Sequence, residues 1–271
     1  MTGEPYDAIV IGGGHNGLVN GAYLARGGLR TLILEQRDVV GGAAITEELR
    51  PGFWFTTFSY ALSLLRPQII HELELPKHGF MPLQMSSKFA PTPDGEYLWF
   101  TKHHDQNLRE IERVCPHDAD AYEQYGHDME RVCQAVKPLL DMVPPDPFSD
   151  DPEELLALAG VGSRLRRLDK RTFHNAIRLL TGSAADFLDD YFESDLLKGW
   201  LASSSIIGTK VGPRSQGSGL VLLYHSLGEH DGEFGSWAFH KGGNGGFTQV
   251  LARAATAFGA EIPSPRRLSA C

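Results

Sequence analysis

Cysteine is nearly absent, with three residues in 271. Cys115, Cys133 and Cys271 are far apart and odd in number, the usage of reduced thiols in a reducing compartment. No two stand close enough for a Cys-x-x-Cys pair, which excludes a redox-active disulfide. Long apolar runs are missing as well. The greasiest stretch, Gly219-Leu-Val-Leu-Leu-Tyr224, falls far short of the roughly 20 residues that span a bilayer. Positive charge is in deficit: a net charge of −9 leaves no basic face for a nucleic-acid partner. Few residues precede the first strand, so neither a signal nor a transit peptide is expected, and the cytoplasm is the expected location.

Chemical signatures are also scarce. The chain has eleven histidines, but none shows the i, i+4 pairing of a zinc helix or a Cys/His finger spacing. His103-His104-Asp105 and the set His225, His230, Asp231, Glu233 and His240 read as hydrogen-bonded surface groups, and no metal is expected. His225 and His230 are five apart and fall on different helix faces. No glycine-elbow serine or Ser/His/Asp order supports hydrolysis.

What is present is concentrated near the start. Asp7-Ala-Ile-Val-Ile-Gly12-Gly13-Gly14-His15-Asn16-Gly17 is an apolar run leading into a glycine turn. Ala8 to Ile11 predicts a parallel strand buried on both faces. Gly12 permits the tight turn, Gly14 lets backbone approach a pyrophosphate, and Gly17 lets helix pack on strand. A helix from about Asn16 to Arg26 would aim its N–H groups at the phosphates. Thr31 to Leu34 predicts the second strand, and Glu35 closes the unit where a carboxylate can accept both ribose hydroxyls. That acid repels a 2′-phosphate and disfavours NADP. The motif alone leaves NAD and FAD open, since they share the ADP half.

The discriminating residues follow Glu35. Glu35-Gln-Arg-Asp-Val-Val-Gly-Gly-Ala-Ala-Ile-Thr-Glu47 places a glycine pair, Gly41-Gly42, shortly after the acid. Together with Gly12 to Leu24, Ser59-Tyr-Ala-Leu-Ser-Leu-Leu-Arg-Pro67 and Lys241-Gly-Gly-Asn-Gly-Gly-Phe-Thr-Gln249, it resembles the flavin-containing amine oxidase and phytoene desaturase group. Within that group it resembles a branch whose name carries the words pyridine nucleotide-disulfide oxidoreductase. The likeness runs to about Ile262. It implies FAD as cofactor, contacted by Gly12, Gly14, Gly17, Glu35, Gly41 and Gly42, with Asn16 and Ala43 adding backbone contacts. It implies an FAD-dependent oxidoreductase that dehydrogenates or isomerises an apolar or amine-bearing small molecule by hydride transfer to flavin. The absent cysteine pair rules out disulfide chemistry. A flavin takes hydride itself, so no protein nucleophile is required and no catalytic residue is named. Two other readings stand beside this one: an NAD-binding module, and a non-enzymatic fragment acting through protein contacts.

The fold class is α/β, a Rossmann-type FAD-binding domain with an inserted mixed-sheet and helical region. Residues 1–78 form its first segment, 79–240 the substrate side, 241–262 the return and 263–271 an unstructured tail. Phe53-Trp-Phe-Thr-Thr-Phe-Ser-Tyr60 reads chiefly as core aromatics, with Thr56, Thr57 and Ser59 as hydroxyl partners for a flavin. Residues 67–78 predict a short helix stopping at Pro76, and 85–90 with 96–101 a hairpin. From 105 to 204 the pattern is helical, with a kink or break at Pro138. Arg164 to Arg171 is a basic stretch, read as a solvated helix face. Phe234 to His240 reads as a strand. Gly242 to Gly246, taken alone, is a second phosphate-type turn; the resemblance makes it the start of the returning helix. After Ile262 the two prolines Pro263 and Pro265 cannot continue a strand, so a truncated or frameshifted product is expected, with apolar surface left uncovered and self-association or a protein partner to cover it.

Overall fold

In the computed structural model, residues 5–140, 142–230 and 233–263 are described. Two compact units emerge: the chain up to Met85 with the part that returns from Trp237, and Ser86–Ser236 between them. Of the expected tail at 263–271, residues 264–271 lie outside the described residues, as does Asp231.

The first unit opens with β1 (Ala8–Ile11), α1 (His15–Arg26) and β2 (Thr31–Leu34). The strands pair in parallel, from Ala8 opposite Thr31 to Ile11 opposite Leu34. α1 buries Leu18, Gly21, Ala22 and Ala25, a stripe at three- and four-residue spacing. After Gly42 come β3 (Thr46–Arg50) and β4 (Phe53–Thr56), an antiparallel hairpin with an irregularity between Glu48 and Arg50. α2 (Pro67–Glu72) begins with the proline the sequence placed there. It stops before Leu73, because Glu74 adopts a left-handed conformation at φ 52°. A 3₁₀ turn, Leu75–His78, then carries Pro76 inside it rather than ending at it. β5 (Pro82–Gln84) follows.

The second unit starts with the hairpin β6 (Ser87–Pro91) and β7 (Tyr97–Thr101), turned at Gly95 with φ 89°. Helices follow: α3 (His104–Val114), α4 (Pro116–Leu140), α5 (Pro152–Arg166), α6 (Lys170–Thr181), α7 (Ala184–Asp189), α8 (Asp195–Ala202) and α9 (Ser218–Ser226). The short strands β8 (Glu229–His230) and β9 (Glu233–Phe234) close it. Pro138 does not break α4; the helix runs two residues past it. Asp151, Asp169, Ser183 and Ser194 cap α5, α6, α7 and α8 through their side-chain oxygens.

Two buried carboxylates knit these helices. Asp118 accepts from the N–H groups of Glu193 at 2.8 Å and Ser194 at 2.9 Å. Asp128, 3% exposed, takes Arg171 through Nε and Nη2, Tyr191 Oη at 2.8 Å and Gln124 at 3.1 Å. Arg171 thus pairs with Asp128 while its own side chain stays 55% exposed, and Arg164, Arg166, Arg167 and Lys170 are exposed as well. Tyr125 sits among Phe187, Tyr191 and Phe192, with ring centroids 5.3–6.4 Å away. Burial pushes the nearby Cys133 thiol up to about 12, with Glu130 adding to it, so this cysteine stays protonated and inert.

The return segment supplies β10 (Ala238–His240), antiparallel to β5, and α10 (Gly243–Ala257). That pairing puts 82–84 in the first unit, whereas the sequence reading assigned residues from 79 onward to the substrate side. The expected strand from 234 to 240 is two short pieces. Beyond α10, Ile33 N–H donates to Glu261 O at 2.8 Å and Glu261 N–H to Thr31 O at 2.9 Å. Glu261 thus lies along the outer edge of β2. β1 is not covered on both faces as expected. Val10 packs on the core, whereas Ile9 is 58% and Ile11 87% exposed.

Candidate functional site

The turn after β1 needs glycine at two positions, Gly12 for its backbone angle and Gly17 for space. Gly12 holds φ 103°, and its N–H donates to Leu34 O at 2.7 Å, tying the turn to the end of β2. A Cβ on Gly17 would collide with the Gly12 carbonyl oxygen. The first bond of α1 runs from Leu18 N–H to Gly14 O at 2.9 Å, with no side-chain cap and no acid in the first turn. The N–H groups of His15, Asn16 and Gly17 therefore face outward in the geometry that binds anions. Asn16 is exposed, and burial lowers the basicity of His15, which keeps its imidazole neutral at pH 7.

Glu35 is held at both oxygens: Oε2 accepts from Gly13 N–H at 2.8 Å and Oε1 from Arg37 N–H at 2.9 Å. Each oxygen keeps a lone pair for a further donor. Arg37 Nη2 in turn reaches Glu47 at 2.6 Å.

The glycine pair meets the turn directly. Gly41 N–H donates to Gly13 O at 2.8 Å, and Gly14 and Gly41 form a parallel bridge. Gly42, at φ 57°, lies so close that a Cβ there would stand 3.1 Å from Gly14 Cα. Ala43 is exposed, and its carbonyl accepts from Ser59 N–H at 3.0 Å. Gly12, Gly14, Asn16, Gly17, Glu35, Gly41, Gly42 and Ala43 thus fall in one neighbourhood of bare backbone with one acid at its side.

Two glycines there escaped the sequence reading. A Cβ on Gly13 would stand 3.0 Å from both Glu35 Cβ and Val40 Cγ1, and one on Gly21 would collide with the Ile33 side chain. Helix-on-strand packing, assigned to Gly17 alone, therefore rests on Gly21 too. The signal was available: Gly21 stands four residues after Gly17, on the same helix face.

The glycine run at 242–246 is not a phosphate turn. At the start of α10, Asn244 N–H donates to Thr56 Oγ1 at 3.3 Å and Gly245 N–H to Thr46 Oγ1 at 2.9 Å. The two hydroxyls are themselves 3.0 Å apart, and Cβ atoms on Gly243 or Gly245 would strike them. Asn244 is buried and donates through Nδ2 to Ser59 O at 2.5 Å. The helix start is filled by the protein's own threonines; Thr56 Oγ1 accepts from Asn244 N–H, and Thr57 donates to Glu47 at 3.4 Å. Thr46→Val keeps the shape but strands the Gly245 N–H, and is expected to cost about 1–3 kcal/mol in a denaturant titration.

The aromatics Phe53, Trp54, Phe55, Phe58 and Tyr60 are exposed rather than in the core. His240 is buried and accepts from Met81 N–H through Nε2 at 3.2 Å, which makes it structural. His225 donates from Nδ1 to Val221 O at 2.9 Å, and the side chains of His230 and Glu233 lie outside the described residues.

The cradle fits a dinucleotide by three features: backbone free of Cβ, an unblocked helix start, and a carboxylate with lone pairs to spare. Fold and cradle define the class, a Rossmann-type dinucleotide-binding protein, and residues 10–72 match the family model of the NAD(P)-binding Rossmann-like domain. Within that class the chain is similar to pyridine nucleotide-disulfide oxidoreductase domain-containing protein 2. It is 41% identical to the rat protein over 272 residues, covering 95% of this chain and 47% of the rat one. A component of the limonene dehydrogenase of Castellaniella defragrans is 33% identical over 121 residues, 44% of this chain and 22% of that protein. The structure of cyclohexylamine oxidase from Brevibacterium oxydans has the same fold, with a TM-score of 0.51 at 20% identity over 94% of this chain and 50% of that one. The chain spans about half the length of the curated relatives it matches. Among the described residues, no helix is long and apolar enough to cross a membrane.

Proposed function

We propose that this chain holds the ADP half of FAD and forms part of an oxidoreductase acting on an apolar or amine-bearing small molecule. The observation that carries this reading is the backbone contact between Gly13-Gly14 and Gly41-Gly42 beside Glu35. Gly14, Asn16 and Gly17 would present N–H groups to one side of the pyrophosphate, with Gly12, whose own N–H is bonded to Leu34 O, shaping the turn beside it. Gly41, Gly42 and Ala43 would approach it from the other, and Glu35 would accept the ribose hydroxyls. The bound flavin supplies hydride acceptance; the protein supplies orientation and electrostatics. The two substrate classes are supported by the names of limonene dehydrogenase and cyclohexylamine oxidase, one a hydrocarbon and the other an amine.

A second reading, an NAD-binding module, is favoured by the description of the matched family model. Titrating the purified chain with FAD and with NAD, followed by flavin fluorescence and by calorimetry, separates the two. Glu35→Ala is expected to weaken FAD binding about tenfold or more, since a hydrogen bond to a charged group is lost. Unchanged affinity in that variant would remove the ribose assignment.

A further inference from the structure

α5 carries no charged residue from Leu155 to Gly162, yet the helix buries none of its side chains. One of its faces, Ala157, Gly160, Val161 and Arg164, follows the three- and four-residue spacing of a helix. Together with Lys137 and Pro138 near the end of α4, and Met142 just beyond it, that face lines a cleft of about 620 Å³. The cleft is local, since every lining residue belongs to the stretch 137–164 of the second unit. Small side chains leave the room: a Cβ on Gly160 would meet nothing within 4 Å. The volume is that of a small-molecule site, and the walls are aliphatic apart from the Met142 thioether. Its two cations differ. Lys137 is ion-paired with Glu229 and stands 5.3 Å from the centre of the Phe234 ring, so its charge is already answered. Arg164 is exposed, and its guanidinium has no partner among the described residues.

We propose that this cleft binds a single-chain fatty carboxylate, with the alkyl chain against Pro138, Met142, Ala157 and Val161 and the head group on Arg164. An apolar ligand alone would leave the guanidinium unanswered, and a small anion would leave the aliphatic walls wet. One molecule with both parts satisfies both. The planar fork of Arg164 matches the two oxygens of a carboxylate. The cleft lies within the second unit, so the proposal stands apart from the flavin reading and its test needs no flavin.

Calorimetric titration of the full chain with dodecanoate, kept below its micelle concentration, is expected to show one saturable site. Acetate should not bind, and dodecanol should bind at least about fivefold more weakly, because it lacks the charge. Gly160→Leu and Gly162→Leu form the deciding pair. Each replaces a helical glycine that has open space at its Cβ position by a strong helix former, so both chains should melt no lower than the parent. Only Gly160 lines the cleft, so Gly160→Leu is expected to lose dodecanoate binding and Gly162→Leu to keep it. Arg164→Glu should weaken binding at least about fivefold. Absence of a saturable site would overturn the proposal, and so would binding that survives Gly160→Leu or is indifferent to Arg164→Glu. Association with phosphatidylglycerol vesicles in the absence of saturable dodecanoate binding would reassign this face to a membrane surface and overturn it equally.

Discussion

Gly17→Ala is expected to abolish flavin retention and to lower the melting temperature. The new methyl group would meet the Gly12 carbonyl oxygen, which is backbone and cannot swing aside. Gly12 is itself fixed at φ 103° and bonded to Leu34 O. Relief must come from opening the turn or lifting α1 off it, at about 1–3 kcal/mol for overpacking of this kind. Either movement takes the helix N–H groups away from the phosphates, so binding suffers more than stability. Gly28→Ala is the matched control. Gly28 also has a positive φ, 88°, but nothing lies near its Cβ position. It should lose some stability through backbone strain and keep its flavin. Thermal melts with FAD titrations of both variants check the pair; a Gly17→Ala chain that binds normally would remove the turn from the dinucleotide reading.

Asp128→Ala is expected to destabilise the second unit by about 1.5–3 kcal/mol, the loss of hydrogen bonds to a charged group. A fully buried pair would lose more, but the Arg171 side chain is 55% exposed and recovers water. Burial pushes the Asp128 carboxyl upward; the hydrogen bonds from Arg171, Tyr191 and Gln124 together outweigh it and hold the group below the usual carboxylate range. The sign of the pH effect follows. A depressed folded-state value means the stabilisation is complete above the unfolded value of about 4 and is lost as pH falls through the folded one. Asp128→Asn, which cannot ionise, should lack that part of the acid-induced loss. Denaturant midpoints measured from neutral pH down to about pH 3 would show it, and parallel slopes in parent and variant would refute it.

The parts legible from sequence are those whose partners are near in the chain. β1, the glycine turn, α1, β2 and Glu35 determine one another within some thirty residues, and Asp151 announces α5 from the adjacent position. The buried acids were not legible. Asp128 meets Arg171 forty-three positions away, and neither a lone aspartate on a helix nor an arginine in a basic run reports such a pairing. The threonine clamp on α10 joins positions 188 and 199 residues apart, where periodicity carries no information. The aromatics at 53–60 misled for another reason: composition shows that a segment wants cover, not whether a covering layer is there.

That same clamp dictates an order of events during synthesis. Thr46 and Thr56 leave the ribosome early, yet their backbone partners arrive only after the whole middle unit has emerged. Ser86–Ser236 is contiguous and can gather its contacts as it appears, whereas the dinucleotide lobe must wait, half-assembled, for α10. A chaperone meeting the nascent protein would find its first-made strands among the last to close.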